Sequence, residues 1–153
     1  MNQKLTVSPS PHFHCGDSTQ GIMFDVLIAL LPAAAASVLL FGYRSLIVMA
    51  VSVVSCVLFE YLARRVMKRD NTIGDLSAVV TGVLLAFNLP VTIDWWMVVI
   101  GAFTAIVVVK QFFGGIGQNF VNPALVGRVV LMISFPEQMS RWTAPVSSFG
   151  ADA

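Results

Sequence analysis

The segment from Lys110 to Arg128, KQFFGGIGQNFVNPALVGR, combines glycines, asparagines and a basic residue in a spacing that suits ligand binding. Its three glycines predict a flexible turn, because glycine adopts backbone conformations that other residues avoid. Asn122 then precedes Pro123, which is the order of a helix N-cap and a first helical residue. The N–H groups and positive dipole end of such a helix suit an anionic or hydrogen-bond-accepting ligand edge.

The asparagines of this segment could serve a ligand in two ways. The amides of Asn119 and Asn122 both donate and accept hydrogen bonds, so together they could recognise the edge of a heterocycle such as a flavin, or coordinate an ion. The alternative is a tight turn that only caps a helix. A phosphate-binding Walker loop is excluded, because no Gly-Lys-Ser/Thr follows. The candidate cofactor-binding residues are Gly115, Gly117, Asn119, Asn122 and Arg128.

The composition of the chain indicates the environment of these residues. The 153 residues are 57% hydrophobic and only 11% charged, whereas an ordinary soluble domain carries about 25% charged residues. The chain therefore lacks the polar groups to cover a soluble globule, and we predict an all-α integral membrane protein in contact with the lipid bilayer. A net charge of +1 provides no basic field for nucleic acid. Two cysteines make no disulfide framework, and Cys56 is predicted to be a small buried side chain.

Five apolar runs are predicted to be transmembrane or half-membrane helices, since crossing a bilayer core of about 30 Å takes roughly 20 helical residues. They cover Gly21–Phe41, Ser45–Ala63, Leu76–Pro90, Trp95–Val109 and Pro123–Phe135. The third and fifth runs are short, as is typical of the half-helices that line transporter cavities. We expect residues 1–20 to be a cytoplasmic N-terminal segment, 21–136 a five-helix membrane repeat and 137–153 an external tail.

Charged residues within the apolar runs are further candidates for function. Arg128 on a membrane helix is costly and is expected to face a partner or cavity; the alternative is snorkelling to the cytoplasmic surface. Asp25 is a candidate for an ion or proton path, and its alternative is an acid in a first helical turn, which the helix dipole favours. Residues His12, His14 and Cys15 match no metal-site spacing, so no metal site is predicted.

Two local patterns concern helix ends and helix packing. Asp75 is a possible N-cap of the third run, and the hydroxyls of Ser77 and Thr81 are expected to bond their own helix backbone. Gly101 and Ala105, four residues apart, are small enough to let a neighbouring helix approach closely.

The distribution of Lys and Arg predicts the orientation, since cytoplasmic loops of membrane proteins are enriched in them. Four basic residues lie between positions 64 and 69, so that loop is placed in the cytoplasm. The prediction is a multi-pass protein of a bacterial inner or plasma membrane. Lys68 and Lys110 are then expected to face the cytoplasm, and Arg141 the outside.

Three motifs, in this order and spacing, resemble the family that contains the D subunit of the Rnf ion-translocating electron-transport complex and the B subunit of the Na⁺-translocating NADH:quinone oxidoreductase. They are SPSPHFHCGDSTQGIMFDVLIALLPA, GDLSAVVTGVLLAFNLP and GGIGQNFVNPALVGR. The resemblance covers residues 8–153 and corresponds to the amino-terminal half of such a protein. The third motif, with its Asn-x-x-Asn-Pro-Ala sequence, is the most specific.

The resemblance implies a membrane protein of two inverted repeats, of which this chain supplies the first five-helix repeat. It implies redox-driven translocation of Na⁺ or H⁺, with electrons passing between flavins, in a complex with other membrane subunits and not in this chain alone. In the quinone-reductase relative, asparagines matching Asn119 and Asn122 lie beside a non-covalent riboflavin, so these two are the expected flavin contacts. The alternative function is half of a non-redox channel or secondary transporter.

The resemblance also implies a covalent FMN on a threonine in a Ser/Thr-Gly-Ala-Thr motif. This sequence stops at Asp152 and Ala153, before any threonine in that context. We therefore expect the covalent FMN site to lie beyond Ala153, and the chain to be a fragment or a truncated product.

Overall fold

A computed structural model describes residues 18–68, 73–112 and 121–145. Within these ranges the secondary structure is helical throughout, without strands. The α-helices are α1 (Thr19–Phe41), α2 (Tyr43–Val66), α3 (Ser77–Phe87), α4 (Trp95–Phe103), α5 (Pro123–Ser134) and α6 (Pro136–Met139). A 3₁₀ turn, Ile73–Asp75, precedes α3, and α4 continues directly into a π-helical segment, Thr104–Gln111, here called the π-segment. Each predicted apolar run corresponds to a helix, so the all-α membrane fold is confirmed.

The helices fall into two length classes. By length and composition, α1 and α2 can each cross a membrane, whereas α3, the continuous Trp95–Gln111 helix and α5 are shorter apolar helices. The 11 residues of α3 rise about 16 Å, which is about half of a bilayer core of about 30 Å. The third run is therefore confirmed as a short helix.

Gly42 alone separates α1 from α2. Its φ of 75° lies in the left-handed region, which suits glycine, and its N–H donates to the carbonyl of Val38 at 2.9 Å. The helix α1 begins at Thr19, where Ser18 Oγ accepts a hydrogen bond from the Gly21 N–H at 3.1 Å. Asp25 thus lies in the second turn of α1, which corrects its placement in the first turn.

The core is formed by α2, α3, the α4–π-segment helix and α5. Glycines allow close backbone approach at two of its contacts. A Cβ on Gly82 of α3 would lie 2.7 Å from Val53 Cα on α2, and one on Gly127 of α5 would lie 2.8 Å from the carbonyl oxygen of Gly101. The close approach predicted at Gly101 and Ala105 is confirmed, and the neighbouring helix is α5.

The helix directions define two ends of the bundle. Glu60 near the end of α2 meets Lys110 in the π-segment, which also contacts Ser77 at the start of α3; we call this the Lys110 end. At the opposite end, the rings of Trp96 and Phe135 make an edge contact with centroids 5.2 Å apart. Since α3 finishes there with Asn88 as its C-cap, we call it the Asn88 end.

The first helix lies at the margin of this bundle. None of the 23 residues of α1 is buried, and its polar link to α2 is a 3.0 Å hydrogen bond from Ser45 Oγ to Ser37 Oγ. Asp25 is exposed on this helix, so the fold does not bring it to the buried polar groups of the core.

Candidate functional site

A buried ion pair lies where α2, α3 and the π-segment meet. Lys110 Nζ donates to Glu60 Oε1 at 2.8 Å and to Ser77 Oγ at 2.6 Å. The Lys110 and Glu60 side chains are only 2% and 0% exposed. In an apolar bundle such charges persist only when they are paired and hydrogen-bonded. We call Glu60, Ser77, Lys110 and Gln111 the ion-pair cluster.

Lys110 is buried, so its side chain is not exposed at a membrane surface, and the cytoplasmic position of this end of the helix stays a prediction. The fourth helix does not stop at Val109 but continues as the π-segment to Gln111. Lys110 therefore remains within the packed helix, and its long side chain extends to α2 instead of to a surface loop.

The π-segment directs two consecutive side chains at the same carboxylate. Gln111 Nε2 lies 3.4 Å from Glu60 Oε1, the oxygen that Lys110 also contacts. The segment ends with an i→i−5 hydrogen bond from the Phe112 N–H to the Val107 carbonyl at 3.3 Å. Its wider turn brings neighbouring residues closer to one face than an α-helix does. Such π-turns occur frequently at functional sites.

The beginning of α3 adds a helix N-terminus to this cluster. Ser77 is the first residue of α3 and is buried, so the positive end of the helix dipole lies beside the Glu60–Lys110 pair. The N-cap is Leu76, with a φ of 57°, and not Asp75, because Asp75 belongs to the 3₁₀ turn before it. The predicted Asp75 cap is therefore wrong.

The two hydroxyls of α3 behave differently from each other. Thr81 Oγ1 donates to the Ser77 carbonyl at 2.8 Å, which confirms the predicted bond to its own helix. The Ser77 hydroxyl instead accepts from Lys110, so its predicted local role is wrong. A contact between residues 33 positions apart has no local sequence signal.

A polar stripe along α2 is the signal that sequence reasoning missed. Ser52, Cys56, Glu60 and Arg64 recur at intervals of four and are all buried, so they share one helix face. Ser52 Oγ donates to the Gly82 carbonyl of α3 at 2.8 Å, and the predicted burial of Cys56 is confirmed. A four-residue period of polar residues inside an apolar run indicates a helix face that packs against a polar partner.

Arg128 is held by partners at the Asn88 end. Its Nη1 donates to Asn88 Oδ1 at 3.1 Å, and its guanidinium carbon lies 5.8 Å from the centroid of the Trp142 ring, a cation–π distance. A hydrogen bond of 3.0 Å from Thr92 Oγ1 to the Arg141 carbonyl also joins the segment after α3 to the segment after α6. The expected partner is thus confirmed, but the side chain points away from the Lys110 end, so snorkelling toward that end is wrong.

Asn122 has its predicted local role at the start of α5. Its Oδ1 accepts a hydrogen bond from the Ala124 N–H at 3.0 Å, and Pro123 is the first helical residue. The side chain is exposed, so its Nδ2 group can still donate to a ligand. Of the other candidates, Gly115, Gly117 and Asn119 lie outside the described residues, as do His12, His14 and Cys15.

Within the described ranges, no group of three or more His, Cys, Asp or Glu side chains could hold a metal ion. The predicted candidates Asp25, Asn122 and Arg128 do not form one site there. The ion-pair cluster is the described group in which charges from separate helices converge.

The family of the chain follows from comparison with known proteins. Residues 6–153 match the NQR2, RnfD, RnfE family. The chain belongs to this family. The resemblance seen in its three motifs is therefore confirmed.

Similar proteins include the D subunits of ion-translocating oxidoreductases. The chain is 50% identical over 141 residues to the D subunit of the Na⁺-translocating ferredoxin:NAD⁺ oxidoreductase complex of Acetobacterium woodii, covering 92% of this chain and 44% of that protein. It is 43% identical over 149 residues to the D subunit of the proton-translocating ferredoxin:NAD⁺ oxidoreductase complex of Clostridium ljungdahlii, covering 97% and 45%.

A third relative is the D subunit of the ion-translocating oxidoreductase complex of Yersinia enterocolitica. It is 42% identical over 144 residues, with coverage of 93% of this chain and 41% of that protein. The chain thus spans less than half the length of these curated relatives.

Proposed function

We propose that this chain contributes to the ion path in a D-type membrane subunit of a redox-driven, ion-translocating complex. The names of its relatives describe subunits of complexes that translocate Na⁺ or protons and act on ferredoxin and NAD⁺. Its partners would be the other membrane subunits of the complex. The observation that carries the proposal is the buried ion pair of Glu60 and Lys110.

The position of the ion pair supports this role. Ionisable side chains inside membrane helices are costly, and they typically mark ion pathways or proton relays. The pair lies beside the N-terminus of a half-length helix, a feature that transporters use to stabilise charge near the middle of the membrane. A purely structural role would not explain a buried ion pair at this helix N-terminus, because apolar residues of similar volume would stabilise the bundle as well or better.

The electron path would use flavin, either FMN or riboflavin. Asn122 fits such a group, because its exposed Nδ2 donor stands at the N-terminus of α5 and can meet the carbonyl edge of an isoalloxazine. Asn119, Gly115 and Gly117 are proposed as further flavin contacts. A bound flavin would supply one- or two-electron transfer, while the chain supplies orientation and electrostatics. Arg128 is proposed to hold the segments after α3 and α6 together at the Asn88 end, through its contacts with Asn88 and Trp142, and not to contact the flavin.

The proposed location is the bacterial cell membrane, with several passes. Arg65 and Lys68 are exposed at the end of α2, which supports a cytoplasmic position for the Lys110 end under the positive-inside rule. Arg141, exposed at the Asn88 end, would then lie on the outer side.

The proposal is tested in the complete complex by Glu60→Gln, with Glu137→Gln as the matched control. Glu137 is an exposed acid paired with Arg141, so the same chemical change there should have little effect. We expect Glu60→Gln to lower the number of ions transported per electron in proteoliposomes, whereas the control retains the wild-type ratio. An unchanged ratio in assembled Glu60→Gln complex would contradict the proposal. Absence of bound flavin in wild-type complex would favour a non-redox channel or transporter instead.

A further inference from the structure

We propose that Lys110 is a tethered cation that occupies a binding site for a monovalent metal cation of the size of Na⁺. The metal cation enters when the ammonium leaves, and the ammonium returns when the cation departs. The inference rests on the proposed function and narrows it to a competition between two cations for the Glu60 carboxylate.

The oxygens around Lys110 Nζ are those that a hard cation binds. Nζ lies 2.8 Å from a carboxylate oxygen of Glu60 and 2.6 Å from the hydroxyl oxygen of Ser77. Carboxylate, hydroxyl and amide oxygens are the ligands preferred by cations of this kind. All of the contributing side chains are buried, so the site would exchange the hydration shell of the cation for protein oxygens.

Gln111 provides an independent indication of a missing ligand. Its side chain is 0% exposed, and within the described part of the chain its Oε1 has no hydrogen-bond partner. A buried carbonyl without a hydrogen-bond partner is unfavourable, because it has lost its hydration without compensation. The terminal torsion of glutamine is broad and roughly two-fold, so rotation of the amide would turn Oε1 toward Glu60 once a metal cation lies there. In the present arrangement Nε2 faces the carboxylate at 3.4 Å.

Electrostatics prevents the Lys110 ammonium and the metal cation from occupying the site together. Glu60 is the acid of the ion-pair cluster, and a second buried cation, Arg64, already lies one turn further along α2. A metal cation added beside Lys110 would therefore raise the positive charge of these apolar surroundings at a large desolvation cost. The lysine ammonium is a compact charge on a flexible four-carbon stem, so it can withdraw without unwinding the π-segment. Withdrawal of the ammonium in this way leaves the Glu60 carboxylate available to a metal cation.

The test measures thermal stability of the assembled complex against NaCl, with choline chloride keeping the ionic strength constant. Lys110→Met removes the ammonium and keeps the apolar stem. We expect this variant to be stabilised by Na⁺ at concentrations at least about tenfold lower than the wild type requires, because a ligand that binds the folded state stabilises it. The double variant Glu60→Gln/Lys110→Met should show no such response.

Lys68→Met serves as the matched control, since Lys68 is an exposed lysine at the same end of the bundle, and it should respond to Na⁺ as the wild type does. If Lys110→Met fails to assemble without Na⁺, the same comparison is made on the yield of assembled complex, which NaCl but not choline chloride should restore. Equal responses of Lys110→Met and wild type, or failure of assembly in both salts, would overturn the exchange.

The outcome also separates this inference from the proposed function. A Lys110→Met complex without an enhanced Na⁺ response, together with a Glu60→Gln complex that loses ion transport, overturns the exchange and retains the ion path. An enhanced Na⁺ response, together with unchanged transport in Glu60→Gln, retains a cation site and overturns its role in transport.

Discussion

The ammonium of Lys110 lies 2.8 Å from the carboxylate of Glu60, and neither side chain is more than 2% exposed. Removal of one partner from a buried ion pair leaves an uncompensated charge, which costs about 3–5 kcal/mol, whereas replacement of both partners is often neutral. Removal of one partner should therefore lower the free energy of unfolding far more than replacement of both, and this difference can be measured.

The first prediction is that Lys110→Met lowers the free energy of unfolding by about 3–5 kcal/mol in choline buffer. Glu60→Gln in the same chain should recover most of this loss, because it removes the uncompensated carboxylate. Denaturant unfolding of the two single variants and the double variant provides the comparison. Additive effects of the two substitutions would show that the residues do not interact.

The second prediction concerns the contact of α3 with α2. Gly82→Ala places a Cβ 2.7 Å from Val53 Cα, so the backbones must separate, at a cost of about 1–3 kcal/mol. The control is Gly74→Ala, since a Cβ there meets nothing within 4 Å. Thermal unfolding should distinguish the two alanine variants, and equal stability would mean that the helices separate freely.

The third prediction separates the two roles of Asn122. Asn122→Asp keeps an oxygen that accepts from the Ala124 N–H, so α5 and the unfolding free energy should be preserved. Loss of the Nδ2 donor should nevertheless lower bound non-covalent flavin, with a change in binding free energy of about 0.5–1.5 kcal/mol. Flavin released from assembled complex is the measurement.

The control for this experiment is Asn122→Ala, which removes both functions and should also destabilise α5 by about 0.5–2 kcal/mol. Full flavin content in Asn122→Asp would leave the residue as a cap only.

The fourth prediction concerns Asn88 and Arg128. Asn88→Leu removes the acceptor of the 3.1 Å hydrogen bond from Arg128, and the partly buried guanidinium then loses stabilisation of about 1–3 kcal/mol. Asn88→Asp keeps the acceptor for Arg128 but, like the leucine variant, loses the 2.8 Å hydrogen bond from Asn88 Nδ2 to the Leu84 carbonyl, so it should unfold at a higher temperature than Asn88→Leu. If the leucine variant is as stable as the aspartate variant, the hydrogen bond contributes nothing.

The fifth prediction concerns membrane sidedness. In a cysteine-free background, Lys68→Cys should react with a membrane-impermeant thiol reagent added from the cytoplasmic side, and Arg141→Cys with the reagent added from outside, because both positions are exposed. Lys110→Cys should react from neither side, since the position is buried. Labelling of Lys68→Cys from outside would reverse the proposed orientation.

The family resemblance and the helical class followed from the sequence because their causes are local. An apolar run can lie in a bilayer only as a helix whose backbone groups bond to each other, so composition predicted the helices without any knowledge of their neighbours. The Asn122–Pro123 cap was predictable for the same reason, since its hydrogen bond joins residues only two positions apart. The terminal positions were less accurate, and α1 begins at Thr19 instead of the predicted Gly21.

The ion-pair cluster was decided by the tertiary structure. Glu60 and Lys110 are 50 positions apart, and in the sequence each stands at or near the end of an apolar run. Only the packing of α2 against α3 and the π-segment turns both inward. Arg128 likewise acquired its partner through the approach of Asn88, 40 positions away. Hydrophobic pattern determines which segments become helices, but the pairing of charges depends on which faces those helices present to one another.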